Sequence, residues 1–376
     1  MNRPLIVFQS DDWGTQRIPS GIESKIQFDY LNEFLQFDTL EDKDDLDNLK
    51  WEVENIATQI CKPVNFTLNI VSGNPNFSKI RANDFQKYFV QDLDQSYSYY
   101  GFNQAQIKVQ WFHISNSASF DLQFHSREHV NSQLWLKALQ KRDQMTEAAF
   151  DLGFWGLSTN YTRTSHKSFM ATWDEKPMET DELNFKEGIK LFKDYFNIKP
   201  ISFVPNNYIF PIGNIKFVEK NEIKSIQGRE YLIQPQKSKF FRFRRKVPRK
   251  MGNIEIGSNS LISIVRNVQF EPSKDLFSNK HNESFTPQID LAMNQINLAI
   301  MKGLPAVIDT HRVNYVGGRN EQNRDYGLQQ LRKLVEMNRS TLMRLSNPIG
   351  LLHWVRILTN LKIKFHNILV RNMRQP

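Results

Sequence analysis

Two adjacent aspartates, Asp11 and Asp12, follow directly on an apolar run at residues 4–9. Negative charges at the end of a buried strand require compensation, because an unpaired carboxylate is costly to bury. One carboxylate of such a pair can ligate a divalent ion while the other accepts a proton from the water that the ion activates. We predict these roles for Asp12 and Asp11, respectively. Solvated loops and helix caps are the other common setting of an Asp pair.

A pair of histidines supplies the matching ligands. His125 and His129 are spaced i and i+4 and follow the apolar run at 120–124, so a helical turn here would place both imidazoles on one face. Such a pair also arises by chance in a chain with eight His. Its position at a strand end, like that of Asp12, favours a facial triad with open positions for water and substrate. We predict one divalent metal ion, preferably Zn, with Co, Ni, Mn or Fe as alternatives.

A hydrolase acting on a carbonyl also needs an acid for the leaving group and donors for the oxyanion. His311 follows the apolar run at 305–309, which makes it the candidate acid. Asn206, Asn207 and Tyr208 follow another apolar run and are candidate substrate-binding residues. The alternatives are a surface histidine and an ordinary Pro-Asn turn.

Short apolar runs alternate with stretches of helical periodicity, a pattern typical of βα units around a parallel sheet. Predicted strands lie at residues 4–9, 64–71, 120–124, 154–158, 200–204, 261–265 and 305–309. Predicted helices lie at residues 42–60, 79–90, 130–151, 181–196, 287–302 and 325–343. Polar residues follow each strand, and the carboxyl ends of parallel strands share one face. The fold class is therefore α/β, with about seven parallel strands.

We expect one catalytic domain, residues 1–345, with insertions at about 15–119 and 206–260, followed by a basic amphipathic segment at 346–376. The net charge of +9 is concentrated in residues 237–250 and in the C-terminal segment, which has no acidic residue. That segment is typical either of an interfacial helix on an anionic membrane or of a final helix docked on the domain.

The single cysteine, Cys61, excludes an internal disulfide and a cysteine-based zinc site. No stretch approaches the roughly 18 uninterrupted apolar residues of a membrane span, and the chain enters a strand too early for a signal peptide. We expect a cytoplasmic protein, and the interfacial-helix alternative for the tail would add a peripheral contact with the inner face of the membrane. The basic, Phe-containing stretch at 240–250 could stack on bases, but no recognised motif accompanies it, so no nucleic acid is expected.

The three motifs together resemble the polysaccharide deacetylase family, whose shared unit is the NodB-homology domain. Members have an Asp-Asp motif after the first strand, an H-[ST]-x-x-H motif after a later strand, and a late His after a terminal apolar strand. The corresponding stretches here are Ser10-Asp11-Asp12, His125-Ser126-Arg127-Glu128-His129 and Ile308-Asp309-Thr310-His311. The resemblance spans most of the chain except its C-terminal tail.

The resemblance implies a distorted (β/α) barrel of the NodB-homology type. It further implies a metal ion held by Asp12, His125 and His129, with Asp11 as base and His311 as acid. The activity it implies is hydrolysis of acetyl groups on a saccharide, by attack of metal-activated water on the acetyl carbonyl. An inactive glycan-binding or scaffold protein on the same fold is the alternative.

This chain also departs from the family pattern. The gap between Asp12 and His125 is long, and the arginine expected near residues 203–210 is absent. Arg266 is our candidate to replace it by orienting Asp11. Trp13, next to the Asp pair, is a candidate to stack on a sugar, as is Tyr208. Arg312 is a candidate to bind an anionic group.

Overall fold

The computed structural model describes the chain in eight stretches. They are residues 5–22, 36–61, 64–156, 173, 179–234, 246–248, 261–277 and 285–338. The C-terminal segment at 346–376 and most of the basic stretch at 237–250 lie outside them, so both predictions about these segments remain predictions. No helix among the described residues is both long enough and apolar enough to cross a bilayer.

The central feature of the described chain is an eight-stranded, entirely parallel sheet with the strand order β10-β7-β6-β5-β2-β1-β12-β11. Two short antiparallel pairs, β3–β4 and β8–β9, lie outside it. The strands are β1 Ile6–Trp13, β2 Phe66–Ile70, β3 Asn74–Pro75, β4 Val90–Gln91, β5 Phe120–Phe124, β6 Ser202–Phe203, β7 Ser225–Gly228, β8 Tyr231–Ile233, β9 Lys246–Pro248, β10 Ile262–Val265, β11 Val268–Gln269 and β12 Ala306–His311.

The two edge strands of this sheet, β10 and β11, are consecutive in the chain and separated only by Arg266 and Asn267. The Arg266 N–H donates to Gly228 O of β7, and the next N–H, of Asn267, donates to Val307 O of β12. Neighbouring residues therefore bond to opposite ends of the strand order, which requires the sheet to curl until its edges meet. The result is barrel-like, which agrees with the α/β barrel that the resemblance implied, although the sheet has eight strands where about seven were predicted.

Most of the predicted strands coincide with strands of the sheet, but two differences matter. Residues 154–156 of the predicted strand at 154–158 are irregular, although Phe154 and Trp155 are buried. Conversely, β7 lies inside the predicted insertion at 206–260 and is a strand of the main sheet. Its four residues, Ser-Ile-Gln-Gly, lack the apolar pattern of a buried strand. Gln227 can nevertheless be buried, because its amide donates hydrogen bonds to Asn69 and Ser202.

Helices precede or follow most strands, as expected of βα units. They are α1 Lys43–Gln59, α2 Phe77–Ala82, α3 Leu93–Tyr99, α4 Gln104–Ser115, α5 Ser132–Gln140, α6 Gln144–Asp151, α7 Glu179–Phe196, α8 Ile215–Lys220, α9 Lys274–Phe277, α10 Gln288–Met301 and α11 Glu321–Met337. The predicted helix at 130–151 is two helices, because Asp143 caps a new one. The helix predicted at 79–90 is the shorter α2, and α3 and α4 were not predicted.

The core explains why these strands pair. All eight positions of β1 are buried, and buried parallel strands carry apolar residues on both faces. Phe8 of β1 stacks on Phe66 of β2, with ring centroids 5.4 Å apart. Burying an aromatic side chain of this kind contributes about 1.5–3 kcal/mol. The carboxyl ends of β1, β5 and β12 are thereby fixed beside one another.

Candidate active site

A bulge at the end of β1 lets two neighbouring aspartates reach the same site. Successive side chains of a regular strand point to opposite faces, but the pairing of β1 with β2 shifts register between Ser10 and Trp13. Asp12 lies in the bulge in the left-handed region, with φ of 75°. Bulges re-aim side chains in this way, and such strain in a non-glycine residue is concentrated at functional sites.

The bulge ends at a position that only glycine can occupy. Gly14 has φ of 77°, and a Cβ added there would lie 2.5 Å from the carbonyl oxygen of Val71. The close approach brings the end of β1 against the residues that follow β2. The backbone that carries Asp12 is therefore held on both sides.

The structure brings Asp12, His125 and His129 together, with potential ligand atoms all within 4.8 Å of one another. Asp12 Oδ1 lies 3.2 Å from His125 Nε2 and 3.1 Å from His129 Nε2. The helical turn that would have placed both imidazoles on one face does not form: the segment is irregular, with φ of 80° at Ser126. The imidazoles converge because the loop leaves β5 next to β2, and β2 in turn adjoins β1.

The hydrogen bonds of His125 indicate what kind of group the site can hold. Its Nδ1 lies 2.8 Å from the carbonyl oxygen of Val204, which can only accept, so Nδ1 carries the proton. In the neutral ring, Nε2 then presents a lone pair to the carboxylate of Asp12. Two acceptors facing each other repel unless a cation lies between them. The donor set therefore fits a divalent ion of the kind that imidazole and carboxylate bind.

The charge states of these groups suit metal binding. Burial lowers the pKa of His129 to about 4 despite the opposing effect of Asp12, so its imidazole is neutral at pH 7. Burial alone would raise the pKa of Asp12, but His129 and Arg17 outweigh it and hold that pKa well below its usual range. A neutral imidazole and an ionised carboxylate are the forms that ligate metal ions.

Asp11 is held by the arginine for which we predicted that function. Arg266 Nη1 donates to Asp11 Oδ2 and Nη2 donates to Asp11 Oδ1, both at 2.7 Å. Nη1 also reaches Asp309 Oδ1 at 2.8 Å, and Nε donates to Gln9 Oε1 at 2.9 Å. Asn69 donates to Asp11 Oδ1 as well. Oδ2 thus has fewer donors than Oδ1 and is the oxygen better able to accept a proton.

His311 lies beside Asp11 because the two residues are register partners on β12 and β1. Its Nδ1 is 2.5 Å from Glu271 Oε1. Burial would lower the pKa of His311, but Glu271, helped by Asp309, raises it to about 10. At neutral pH this imidazole is therefore cationic, with Nδ1 donating to Glu271.

The predicted substrate-binding residues divide into exposed and buried groups. Tyr208 is partly exposed, and its hydroxyl donates to Asp309 at 3.0 Å. Asn207 is also partly exposed, with φ of 51°. Asn206 is buried and donates to the carbonyl oxygen of His125 at 3.1 Å. Asn206 thus supports the His125 loop.

Two residues that were predicted to contact the substrate, Trp13 and Arg312, are buried, so these two predictions are wrong. Trp13 is 0% exposed, packs edge-on against Trp111, and donates to Ser10 Oγ, which leaves no ring face for a sugar. Arg312 is also 0% exposed, and it pairs with Asp38 and Glu41. An arginine already paired inside the protein does not present a cation to a substrate.

Sequence reasoning missed several residues that contact the site. Arg17 and Asp38 belong to loops without regular periodicity, and nothing in their spacing indicates that they meet Asp12. Glu271 and Asp309 follow or lie within strands of the same face, and this position could have identified them. Each is buried and paired with a residue of the site.

Comparisons with known proteins leave the family undecided. No protein-family model and no curated protein match the chain. One matching structure is a candidate polysaccharide deacetylase from Mycobacterium smegmatis, with a TM-score of 0.38 and 10% identity over 83% of this chain and 77% of that one. Another is the novel α-amylase AmyC from Thermotoga maritima, with a TM-score of 0.39 and 10% identity over 89% and 71%. With TM-scores below 0.5, neither likeness decides fold or function, which must be argued from the site.

Proposed function

We propose that the protein is a metal-dependent hydrolase that removes acetyl groups from a saccharide. The observation that supports this most strongly is the face formed by Asp12 Oδ1 and the Nε2 atoms of His125 and His129. A base candidate and an acid candidate lie beside that face. The order of the motifs along the chain, which resembles that of polysaccharide deacetylases, supports the same reaction class.

Asp11 is the proposed general base. Arg266 fixes both carboxylate oxygens in a bidentate pair, which orients the carboxylate as such forks do. The Oδ2 atom, with a single donor among the described residues, keeps a lone pair for the proton of the attacking water. Removing that proton as the oxygen approaches the acetyl carbonyl is the work of a base within hydrogen-bond reach.

His311 is the proposed general acid. With Nδ1 held by Glu271, its Nε2–H is the proton available to a leaving amine or alkoxide. The raised pKa keeps that proton in place until the leaving group accepts it.

Asp12, His125 and His129 would hold the metal ion, for which Zn is our preferred identity. When bound there, the ion would polarise the acetyl carbonyl and activate water for attack. Tyr208, which is partly exposed beside Asp309, is the best placed of the predicted substrate-binding residues to meet a sugar.

Elemental analysis of the isolated protein, followed by acetate release from a panel of N- and O-acetylated glycans, tests the proposal. We expect about one divalent ion per chain. An Asp11→Asn variant should keep the ion but lose about 10²–10⁴-fold in acetate release, the range for a general base. An Asp94→Asn variant, which changes a surface ion pair on α3, is the matched control.

Absence of bound metal after purification and reconstitution would contradict the proposed function and favour a glycan-binding or scaffold protein. Full acetate release by the Asp11→Asn variant would contradict the assigned base. Bound metal with no acetate release from any glycan in the panel would require another amide or ester substrate.

A further inference from the structure

Arg17 contacts the one candidate metal ligand that carries a negative charge. Its Nη2 donates to Asp12 Oδ2 at 3.1 Å, on the opposite carboxylate oxygen from the one that faces the two imidazoles. The Arg17 side chain is 3% exposed. The carboxylate of Asp12 therefore has one oxygen directed to the candidate metal face and the other bonded to a buried cation.

The position of Arg17 is fixed from behind by a second ion pair. Its Nε donates to Asp38 Oδ2 at 2.9 Å, and the other oxygen of Asp38 accepts from Arg312 Nη2 at 2.9 Å. Arg312 in turn pairs with Glu41 at 2.8 Å. All of these side chains are buried. Because Asp38 is shared by two arginines, the guanidinium of Arg17 cannot follow Asp12 if that carboxylate rotates.

A tryptophan fixes Arg17 relative to a second candidate ligand. The guanidinium carbon of Arg17 lies 4.6 Å from the centroid of the Trp155 ring. The same ring stacks on His129, with centroids 5.9 Å apart and planes 22° apart. Arg17 and His129 thus share one aromatic surface as well as one carboxylate, so the three side chains form a single packed unit with Asp12.

Arg17 differs from the other buried arginines near the site. All three guanidinium nitrogens of Arg266 and of Arg312 donate to protein acceptors. Arg17 Nη1, by contrast, is buried and has no hydrogen-bond partner in the described part of the chain. Buried N–H groups of a cation are rarely left unpaired. This difference indicates that Arg17 belongs to the polar site around Asp12. It is not an arginine whose guanidinium hydrogen bonds are all made within a structural ion pair.

We propose that Arg17 is a positioning residue that restricts Asp12 to one-oxygen ligation, through Oδ1, of the ion that Asp12, His125 and His129 would hold. This inference rests on the proposed function. A carboxylate can ligate through one or both oxygens, and the guanidinium on Oδ2 opposes the second bond by charge and by hydrogen bonding. The restriction leaves a coordination position for water or substrate, which a catalytic site needs.

The charge of Arg17 has a second consequence. Asp12 alone contributes a negative charge to the ligand set, since an imidazole binds a metal ion in its neutral form. A guanidinium on Asp12 withdraws part of that charge and opposes binding of a cation, although Asp38 offsets some of the repulsion. Replacing Arg17 by a neutral side chain should therefore strengthen metal binding while impairing the reaction, because the ion gains an oxygen ligand and loses an open position.

The test uses the full chain, stripped with a chelator and titrated with Co²⁺ as the probe. X-ray absorption and visible spectra report the number of ligands, and competition with a chelator reports affinity. We expect Arg17→Gln to gain one oxygen ligand, to bind Co²⁺ about tenfold more tightly and to have a lower kcat for acetate release. Arg17→Lys, which keeps a cation near Oδ2, should stay closer to the wild type. The matched control is Arg332→Gln, which removes an ion pair to Glu52 on α1.

Weaker Co²⁺ binding by Arg17→Gln with no new oxygen ligand would show a merely structural role and overturn the inference. If that variant does not fold, the wild-type Co²⁺ form decides the matter, because ligation by both Asp12 oxygens in the presence of Arg17 would equally overturn it. Failure of the wild type to bind Co²⁺ at all would instead contradict the proposed function. These outcomes separate the two proposals.

Discussion

Two clusters of acidic and imidazole side chains lie at the carboxyl ends of β1 and β12, and they differ in what balances their charge. Asp12, His125 and His129 form one, and Asp11, Asp309 and His311 form the other; in both, the potential ligand atoms lie within 4.8 Å of one another. In the second cluster, Arg266 bridges the two carboxylates and His311 is itself cationic. In the first, a carboxylate oxygen of Asp12 faces the Nε2 atoms of both histidines.

This difference teaches that the spacing of donors does not by itself define a metal site. The Asp11 cluster already contains its cations, which are protein side chains. Among the residues that the structure describes, the cation bonded to Asp12 is Arg17, which contacts Oδ2, the oxygen turned away from the imidazoles. No side-chain cation of these residues lies on the face where the three potential ligands meet. A metal ion is therefore expected at one cluster and excluded by Arg266 at the other.

The largest expected effect comes from removing Asp12, the charged candidate ligand of the Asp12 cluster. Asp12→Ala should weaken binding of a divalent ion by well over ~100-fold, since loss of a partner that only supports a ligand already costs about 10–100-fold. Acetate release should be lost with it. Metal content after dialysis against a weak chelator is the measurement. If the variant retained one ion per chain, the ion would not be bound by Asp12.

The next largest effect concerns the Asp11 cluster and should appear in the free energy of unfolding. Arg266→Met removes the only cation paired with the buried Asp11 among the described residues and leaves Asp309 paired with Arg229. We therefore expect the free energy of unfolding to fall by about 3–5 kcal/mol, as when one partner of a buried ion pair is removed. Denaturant unfolding monitored by tryptophan fluorescence measures this. An unchanged midpoint would mean that the carboxylates are compensated in another way.

The stability that His311 of the Asp11 cluster contributes should depend on pH. Glu271 raises the pKa of His311 to about 10, above its usual value, so the pair contributes stability that is fully present below about pH 6.5 and is lost as pH rises through about 10. Glu271→Gln should remove this contribution. The difference in Tm between the wild type and the variant should be large at pH 6 and shrink toward pH 10. A Tm difference that does not change with pH would contradict the ion pair between Glu271 and His311.

The smallest effect is expected where both partners of an ion pair lie at the surface. Lys190 and Asp194 pair on α7, with side chains 73% and 55% exposed. An ion pair of this kind contributes little to stability, because solvent screens it. Lys190→Gln should therefore lower the free energy of unfolding far less than Arg266→Met does in the same denaturant experiment. Equal losses would undermine the contrast between buried and exposed pairs.

The sequence indicated the ligands because they occupy strand ends, where the topology alone brings them together. Asp12 and His125 are far apart in the chain, yet β1, β2 and β5 are neighbours in the sheet. Residues 125–129 do not form the helical turn that would have aligned both imidazoles, yet the two rings converge because the loop begins at a fixed strand end. Arg266 was proposed as the partner of Asp11 because the family resemblance implies an arginine that is absent near residues 203–210.

What the sequence did not indicate depends on side chains buried against expectation. Trp13 adjoins the Asp pair and was predicted to meet a sugar, but the bulge turns it into the core beside Trp111. Gln227 makes β7 resemble a loop, although the barrel interior satisfies its amide. Arg17 and Asp38 carry no periodic signal, and only folding shows that they pair with each other and that Arg17 pairs with Asp12.

The junction of β10 and β11 carries one further consequence. Arg266, whose side chain clamps Asp11, also supplies one of the two successive amides that join the sheet edges. Separating those edges would pull the guanidinium from its carboxylates, so the sheet cannot open at this point without releasing Asp11, the proposed base. Amide hydrogen exchange at residues 262–269 should accordingly be slow, and any substitution that accelerates it should slow catalysis in proportion.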